Sequence, residues 1–390
     1  MKTRIEQSII WCLVLILGTM ALAQPVIKSP AAILIEGNNG GIIWEKKSDE
    51  KRHVASITKI LTMILVIEAV ENNQFSLDDL VSVSESAKRQ GGSQIWLEIG
   101  EQMSVKDLLY SLSVGSANDS AVALAEFHSG SELAFVEKMN EKAKEIGCTN
   151  THFVNCNGLP ENSHRVLEGQ HYSTAKDIAL VTFYAYKLPL FADLVSTYEY
   201  TVRPGQKGEV VLYNYNKLFL RGYPGADGVK TGMVEASGYC LSASAIREDL
   251  RLIAVVLGAS SNQERYKDIV SILDYGYNNF KGILLASKSD VIMEIPVHHG
   301  KKEKIEIYAQ DDLRVTLKKG VDTLPTIDLE IKEYLKAPVK KGECVGVIKA
   351  KLGEEIVGEM QAIAGEDVEK ATIWLEISRS FLKILGIVKG

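Results

Sequence analysis

The chain has 390 residues, of which 46% are hydrophobic and 24% charged, and its net charge at pH 7 is −6. A chain of this length and composition can bury a sizeable core, and we expect it to divide into two or more domains. The negative charge, with no large basic cluster, argues against nucleic acid as a partner.

Residues 1–23 have the pattern of a secretory signal peptide. Lys2 and Arg4 precede the apolar run Ile9–Leu17, and Ala21-Leu22-Ala23 supplies a cleavage site of the small-x-small type. The alternative, an uncleaved N-terminal anchor, is disfavoured by the short apolar run and the good cleavage site. We therefore expect the mature protein to begin near residue 24 and to work outside the cytoplasm.

Four cysteines follow the predicted signal peptide, too few for a disulfide framework. Cys148 and Cys156 could pair in an oxidising compartment, but free thiols are at least as compatible with the sequence.

The start of the mature chain predicts a hairpin followed by a buried helix. Ala31–Glu36 and Gly41–Glu45 flank a short turn and read as two strands. Val54–Ala69 is apolar on nearly every face and lacks glycine and proline, which predicts a buried helix. In a helix that begins near Ser56, the side chains of Ser56 and Lys59 lie one turn apart on the same face.

This pair suggests a nucleophile and its base. Burial lowers the pKa of a lysine, so Lys59 could accept the proton of the Ser56 hydroxyl, which lies at the positive end of the helix dipole. The pair alone is weak evidence, because serine at a helix start is most often an N-cap.

The next segments predict loop and short strand over 77–90, a helix over Val105–Leu112, and helical structure from 121 to 145. Ser116 and Asn118 fall in the short connection before a helix expected to begin near Ser120. Side chains in such a connection can project into a cleft. A loop over 147–158 and a helix over 173–186 follow.

Later segments complete an α+β domain. The segments 198–203 and 225–232 are followed by two strand-like runs, 238–245 and 251–258, which suit adjacent positions in an antiparallel sheet. Lys230, Thr231 and Gly232 would line a strand edge, where glycine lets a ligand approach the backbone. A helix over 265–280 closes the domain, whose early hairpin and late strands could form one sheet against the helices.

Three motifs now resemble a known family. Ser56-Ile57-Thr58-Lys59, Ser116-Ala117-Asn118 and Lys230-Thr231-Gly232 have the order and spacing found in the penicillin-recognising serine enzymes, which include β-lactamases and penicillin-binding proteins. The surrounding sequence resembles the D-alanyl-D-alanine carboxypeptidases in six further segments: 117–126, 135–140, 151–155, 158–160, 171–175 and 227–232. The resemblance is dense from Pro25 to Phe280 and implies a β-lactamase/transpeptidase-like catalytic domain over 24–280.

The resemblance implies a serine peptidase that needs no cofactor or metal ion. Ser56 would attack the penultimate D-Ala carbonyl of a peptidoglycan stem pentapeptide, release the terminal D-Ala and form an acyl-enzyme, while Lys59 takes the proton. Ser116 would relay a proton to the leaving nitrogen, and Asn118 would hold the substrate amide. β-Lactam antibiotics would acylate the same serine.

Three further residues are implied in binding. Lys230 and Thr231 would receive the free terminal carboxylate of the substrate. The backbone N–H groups of Ser56 and Met233 would form the oxyanion hole.

The chain departs from its relatives at Val234, where many have Thr, at Ser237, where many have Ala, and at Cys156, where Pro is common. Val234 would line the carboxylate pocket and affect affinity. The rival functions are a β-lactamase and a non-catalytic peptidoglycan-binding protein. A β-lactamase would need a deacylating Glu after the Ser116 motif, where the segment offers only Glu161-Asn162, and a non-catalytic protein would not be acylated by penicillin.

Residues 281–368 predict a small all-β domain. Its strands are expected at 291–297, 304–308, 313–317, 327–331 and 343–349. It resembles the β-sandwich that follows the catalytic domain in these carboxypeptidases. His298 and His299 are expected in an exposed turn, since no other His or Cys accompanies them as a metal ligand.

Residues 369–390 predict an amphipathic helix. Trp374, Ile377, Phe381, Ile384, Leu385 and Val388 share one face, and Glu376, Arg379, Ser380 and Lys383 share the other. Charges interrupt the apolar residues too often for a spanning helix. The helix could dock on the β-domain, but the resemblance favours a membrane-surface anchor that holds the enzyme on the outer face of the cytoplasmic membrane.

Overall fold

The computed structural model describes residues 24–160, 170–321 and 323–384. The predicted signal peptide, Glu161-Asn162, and the predicted helix-face residues Leu385 and Val388 lie outside these ranges. By its internal contacts the chain divides into two units. The first is Met1–Ile35, Ile42–Ile246 and Leu252–Asn279, and the second is Glu36–Gly41, Arg247–Arg251 and Phe280–Gly390. The predicted domain boundaries stay predictions.

The first unit carries an antiparallel sheet, several helices and two short strand pairs. Its strands are β1 (Ala31–Glu36), β2 (Ile42–Lys46), β3 (Leu80–Ser82), β4 (Gln102–Ser104), β5 (Glu199–Val202), β6 (Val210–Tyr213), β7 (Ala226–Val234), β8 (Gly238–Arg247) and β9 (Leu250–Ala259). Its helices are α1 (Lys59–Glu71), α2 (Glu85–Lys88), α3 (Val105–Val114), α4 (Asn118–Ser129), α5 (Glu132–Ile146), α6 (Ala175–Ala185), α7 (Pro189–Ser196), α8 (Lys217–Gly222) and α9 (Asn262–Asn279).

The main sheet has the strand order β2-β1-β9-β8-β7. β1 lies inside the sheet and all six of its residues are buried, which explains its continuous apolar sequence. β7 lies at one end of the order and pairs antiparallel with β8, with Lys230 opposite Ser242. The prediction that the early hairpin and the late strands form one sheet is confirmed.

Helix α1 runs through the centre of the helical layer and contacts α3, α4, α5, α6 and α7. Ten of its thirteen residues are buried, because neighbouring helices surround it. Its apolar character on every face is the sequence signature of this position, as predicted. Among the described helices, none is by itself long and apolar enough to cross a membrane, and only the pair α6 and α7, bent by 112°, passes that test together.

Several predicted boundaries were wrong. Ser56 lies in a 3₁₀ turn, Ala55–Thr58, that precedes the α-helix. The helical stretch predicted over 121–145 is two helices, because Gly130 ends α4 in the left-handed conformation and the Ser131 hydroxyl caps α5. Helix α4 begins at Asn118 and not near Ser120. The short elements α2, α7, α8 and β6 were not predicted.

Over its described residues, the second unit is all-β apart from one helix, as predicted. The five expected strands are present, and β10, β15 and β17 are additional. The bounds are β10 (Phe280–Ala286), β11 (Val291–His298), β12 (Lys304–Ala309), β13 (Leu313–Lys318), β14 (Thr326–Ile331), β15 (Leu335–Lys336), β16 (Cys344–Leu352), β17 (Glu355–Ala364) and α10 (Ile373–Ile384). One sheet has the order β14-β16-β17-β12-β11-β15, and β10 pairs with β13. Burial alternates along β12 and β13, which matches the alternation of their sequences.

Helix α10 contacts the second unit through polar side chains. Arg379 donates to the carbonyls of Gly300 and Lys301 at 2.6 and 2.7 Å, and Glu376 pairs with His299 at 3.2 Å. Three large apolar side chains of this helix are exposed: Trp374 by 79%, Ile377 by 53% and Phe381 by 60%.

Candidate active site

The proposed nucleophile is presented by a tight turn. Ala55 adopts φ +49°, and Ser56 follows it, half-buried, at the start of the 3₁₀ turn. A Cβ at Gly232 of β7 would lie 2.6 Å from the Val54 carbonyl oxygen, and one at Gly158 only 1.9 Å from that of Ala55. Glycine is therefore required at both positions. The sequence predicted that a ligand would approach the backbone at Gly232; the group that the structure places there is the protein's own backbone.

The amine of Lys59 has three hydrogen-bonding partners in the site. It is fully buried, and its Nζ lies 2.9 Å from Ser56 Oγ, 2.6 Å from Asn118 Oδ1 and 2.7 Å from the carbonyl oxygen of Asn157. The Asn118 amide is fixed in this orientation because its Nδ2 donates to the Gly91 carbonyl at 2.7 Å. Two of the three partners of Nζ can therefore only accept.

This arrangement sets the direction of the lone pair. When Lys59 is neutral, its two N–H groups donate to Asn118 and Asn157, and the lone pair faces the Ser56 hydroxyl. Burial holds the pKa of Lys59 well below its ordinary value, and the positive charge of Lys230 lowers it further. A neutral amine aimed at a serine hydroxyl is a general base in position for its nucleophile.

The loop that follows α5 supports this geometry. The Thr62 hydroxyl donates to the Cys156 carbonyl at 2.6 Å, which holds the neighbouring Asn157 carbonyl toward Lys59. Cys156 lies beside Glu132, with Sγ 3.2 Å from its carboxylate, and burial raises the pKa of this thiol well above the ordinary value. Cys148 and Cys156 are both free and buried, so the possible pairing left open by the sequence is not formed.

Ser116 and Asn118 lie together at the N-terminus of α4. Ser116 is buried and adopts φ +54°, a backbone conformation that costs free energy and often occurs at functional sites. Within the described ranges no hydrogen bond joins the Ser116 hydroxyl to the side chain of Ser56 or Lys59. Asn118 is bound at both ends of its amide, which leaves one N–H for a substrate.

Lys230 is a second buried cation. It is 2% exposed, and Nζ lies 3.3 Å from the Thr231 carbonyl oxygen. Burial, together with the nearby charge of Arg265, lowers the pKa of Lys230 to about 7. Along the same strand Thr231 is buried, whereas Met233 is 55% exposed.

Arg265 of α9 was not identified from the sequence as a site residue. It is 6% exposed and donates to the carbonyls of Gly232 at 3.2 Å and Cys240 at 3.1 Å. No sequence motif marks it; only the packing of α9 on the sheet brings it to β7. Among the described residues, no carboxylate forms an ion pair with Lys59, Lys230 or Arg265.

The two departures at the end of β7 bond to each other. The Val234 N–H donates to the Ser237 hydroxyl at 3.1 Å, and that hydroxyl also lies 3.2 Å from the Val234 carbonyl oxygen. Ser237 therefore closes the turn between β7 and β8.

The structure thus joins Ser56, Lys59 and Asn118 directly and places the Ser56 turn against β7. A serine hydroxyl in contact with a buried lysine amine, beside further buried cations, is the arrangement of a serine hydrolase.

Comparison with known proteins agrees with this class of enzyme. The family model of the D-alanyl-D-alanine carboxypeptidases matches residues 19–261, and that of the penicillin-binding protein 5 C-terminal domain matches residues 280–370. The carboxypeptidase DacF of Bacillus subtilis is 38% identical over 88% of this chain and 87% of its own length. DacC of Escherichia coli is 32% identical over 89% and 86%. The crystal structure of penicillin-binding protein 5 from Haemophilus influenzae matches 89% of this chain and 99% of its own, with a TM-score of 0.68 and 29% identity.

The chain belongs to the D-alanyl-D-alanine carboxypeptidase family. The predicted enzyme class, a serine-type D-Ala-D-Ala carboxypeptidase, and the predicted penicillin-binding fold are confirmed. The β-lactamase and the non-catalytic binding protein are not favoured.

Proposed function

We propose that Ser56 is the nucleophile with which this enzyme removes the terminal D-Ala from peptidoglycan stem pentapeptides. The observation that carries the proposal is the set of three short contacts at Lys59 Nζ, which direct its lone pair to the Ser56 hydroxyl. No described group other than Lys59 is within hydrogen-bonding distance of Ser56 Oγ and able to take its proton.

In the first step Ser56 Oγ bonds to the carbonyl carbon of the penultimate D-Ala while Lys59 takes the hydroxyl proton. The N–H groups of Ser56 and Met233 receive the developing oxyanion. As the C–N bond breaks, a proton relayed through Ser116 neutralises the leaving nitrogen, and D-Ala departs. Water then hydrolyses the ester with Lys59 again as base, which regenerates Ser56.

The cationic residues on and beside β7 bind the substrate. Lys230 and Thr231 bind the free carboxylate of the terminal D-Ala, and Arg265 adds to the positive potential from behind the strand. Because these cations are buried and no described carboxylate pairs with them, an arriving carboxylate meets little competition. Asn118 offers its remaining N–H to the substrate amide.

β-Lactams carry a carboxylate and a strained amide in the same relation and would acylate Ser56. A signal peptide at residues 1–23 would deliver the enzyme to the outside of the cytoplasm, where peptidoglycan lies.

Membrane attachment through α10 is part of the proposal. It is supported by the different contacts of polar and apolar side chains on this helix. Arg379 and Glu376 contact other residues of the second unit. Trp374, Ile377 and Phe381 are exposed. An exposed row of large apolar side chains suits a lipid interface. A chain that ends near Val368 should stay folded and react with penicillin but no longer co-sediment with vesicles. Equal sedimentation of the shortened and the mature chain would contradict the anchor.

The test of the nucleophile is covalent labelling. Fluorescent penicillin should label the mature enzyme, and mass mapping should find the adduct on the peptide containing Ser56. Ser56→Ala should abolish labelling, whereas Ser86→Ala, an exposed serine of α2, should not. Labelling that survives Ser56→Ala would place the nucleophile elsewhere.

A further inference from the structure

A cleft lies in the first unit beside the candidate active site. It has a volume of about 430 Å³ and runs between the segment 92–96 and the segment 210–217. Its lining includes Ser93, Trp96, Leu212, Tyr213, Tyr215 and Lys217. None of these residues takes part in the chemistry assigned above.

Two contacts join this cleft to the active site. The backbone N–H of Asn118 donates to the Ser93 carbonyl at 2.7 Å, and the Asn118 side chain donates to the carbonyl of Gly91 at the same distance. Gly115, which also lines the cleft, directly precedes Ser116. The lining of this cleft therefore adjoins both Asn118 and Ser116.

The cleft is aromatic, and its rings face solvent. Trp96 is 62% exposed, Tyr213 47% and Tyr215 53%. One of these rings, that of Tyr215, is held by its neighbours: the Tyr215 and Ser93 hydroxyl oxygens lie 3.2 Å apart, and the Tyr215 carbonyl accepts from the Tyr266 hydroxyl at 3.1 Å. Ordered aromatic side chains that remain exposed next to a catalytic site are typical of a binding surface.

The charge of the cleft indicates what it binds. Lys217 is the one charged side chain in the lining that the structure describes, and its Nζ lies 5.1 Å from the centre of the Tyr213 ring. Flat aromatic surfaces pack well on peptide planes and aliphatic stems, and a lysine beside them attracts a carboxylate. The lining therefore favours an acidic, extended peptide.

We infer that this cleft binds the part of the donor stem peptide on the N-terminal side of the scissile bond. Tyr213, Tyr215 and Trp96 pack against its backbone and aliphatic groups, and Lys217 pairs with a free carboxylate of the peptide. The inference rests on the proposed function, since it extends the same substrate beyond the two D-Ala residues. It makes these residues determinants of substrate length and charge.

The test compares short and long substrates. The readout is the ratio of kcat/KM for Ala-γ-D-Glu-Lys-D-Ala-D-Ala to kcat/KM for diacetyl-Lys-D-Ala-D-Ala, which is too short to fill the cleft. The double variant Tyr213→Ala/Tyr215→Ala should lower this ratio by about tenfold, the size expected from losing two packed rings. Tyr334→Ala, an exposed tyrosine of the second unit, should leave the ratio unchanged.

A second comparison isolates the charge and does not depend on the tyrosine variant. The acidic pentapeptide should be a better substrate than its analogue with an amidated glutamate, and Lys217→Gln should remove that preference of roughly three- to tenfold. Lys187→Gln is the matched control, because Lys187 also lies over an aromatic ring, that of Phe183, at 4.7 Å. Acylation by fluorescent penicillin verifies that each variant is folded.

An unchanged length ratio in the tyrosine variant, or equal use of acidic and amidated pentapeptides by the parent enzyme, would overturn the inference. So would a variant that loses preference only for glycan-linked peptides, since the cleft would then bind sugar. These outcomes differ from failure of the proposed function, in which the parent enzyme would cleave neither substrate and Ser56 would not react with penicillin.

Discussion

Two lysines buried in the first unit and the surface lysines of the second unit lie in opposite environments. In the first unit Lys59 and Lys230 are buried, and neither forms an ion pair with a described carboxylate. In the second unit, several lysines lie at the surface and each pairs with an acid. The pairs are Lys301 with Glu369, Lys302 with Glu366, Lys304 with Glu294, Lys349 with Glu330, and Lys351 with Asp328.

The difference shows which lysines lower the stability of the folded protein in favour of reactivity. An unpaired buried cation destabilises the folded protein because it has lost its hydration, and burial therefore lowers the pKa of a lysine and favours its neutral form. A paired surface lysine costs little and contributes little. The two buried lysines therefore mark the reactive region.

The largest expected effect is at Lys59. Lys59→Met should keep the volume of the side chain but remove the base, and the rate of penicillin acylation should fall by about 10³-fold or more, as for loss of a general base. Stopped-flow or gel-based acylation rates measure this. Acylation within tenfold of the parent would mean that another group accepts the Ser56 proton.

The second largest effect is expected from substitution of Lys230. Lys230→Ala should lower kcat/KM on diacetyl-Lys-D-Ala-D-Ala by about two orders of magnitude, as expected from a desolvated charge-assisted contact worth roughly 2–3 kcal/mol. The parent enzyme should be poor on the same peptide with an amidated C-terminus, and the variant should discriminate less between the two. Equal cleavage of acid and amide by the parent would refute the role of Lys230.

Lys230 should also make stability depend on pH. Its pKa is about 7 in the folded protein and near the ordinary value of 10.5 when unfolded. Between these values the unfolded chain binds more protons, so this group makes stability rise with pH. Lys230→Met should therefore be more stable than the parent by several kcal/mol near pH 6, up to about 5 kcal/mol for a pKa difference of this size, and the gain should shrink toward pH 10. Urea unfolding at several pH values measures it; a gain independent of pH would show that the charge is not its cause.

The smallest effect is expected in the second unit. Lys351→Met removes the pair with Asp328, which lies at the surface. Water already solvates both groups, so the melting temperature and the acylation rate should stay within error of the parent. A clear loss of either would show that surface pairs of this unit do more than the comparison allows.

The sequence alone determined the elements that show a local pattern. The uninterrupted apolar runs of α1 and the late strands, the turn residues of the early hairpin and the helical spacing of apolar residues in the C-terminal helix all depend on neighbours along the chain. The three-residue spacing of Ser56 and Lys59 brings them into contact even though Ser56 lies in a 3₁₀ turn and not in the helix. The resemblance to the carboxypeptidases supplied the remaining site residues.

Only the tertiary structure decided what surrounds them. The Asn157 carbonyl that orients Lys59 lies 98 positions along the chain, Arg265 reaches β7 from α9, and the aromatic cleft joins segments more than a hundred residues apart. Short elements such as α8 and β15 have too few residues to show a period. Contacts of this range depend on how whole elements pack, because no local pattern records which carbonyl, cation or ring will face a given side chain.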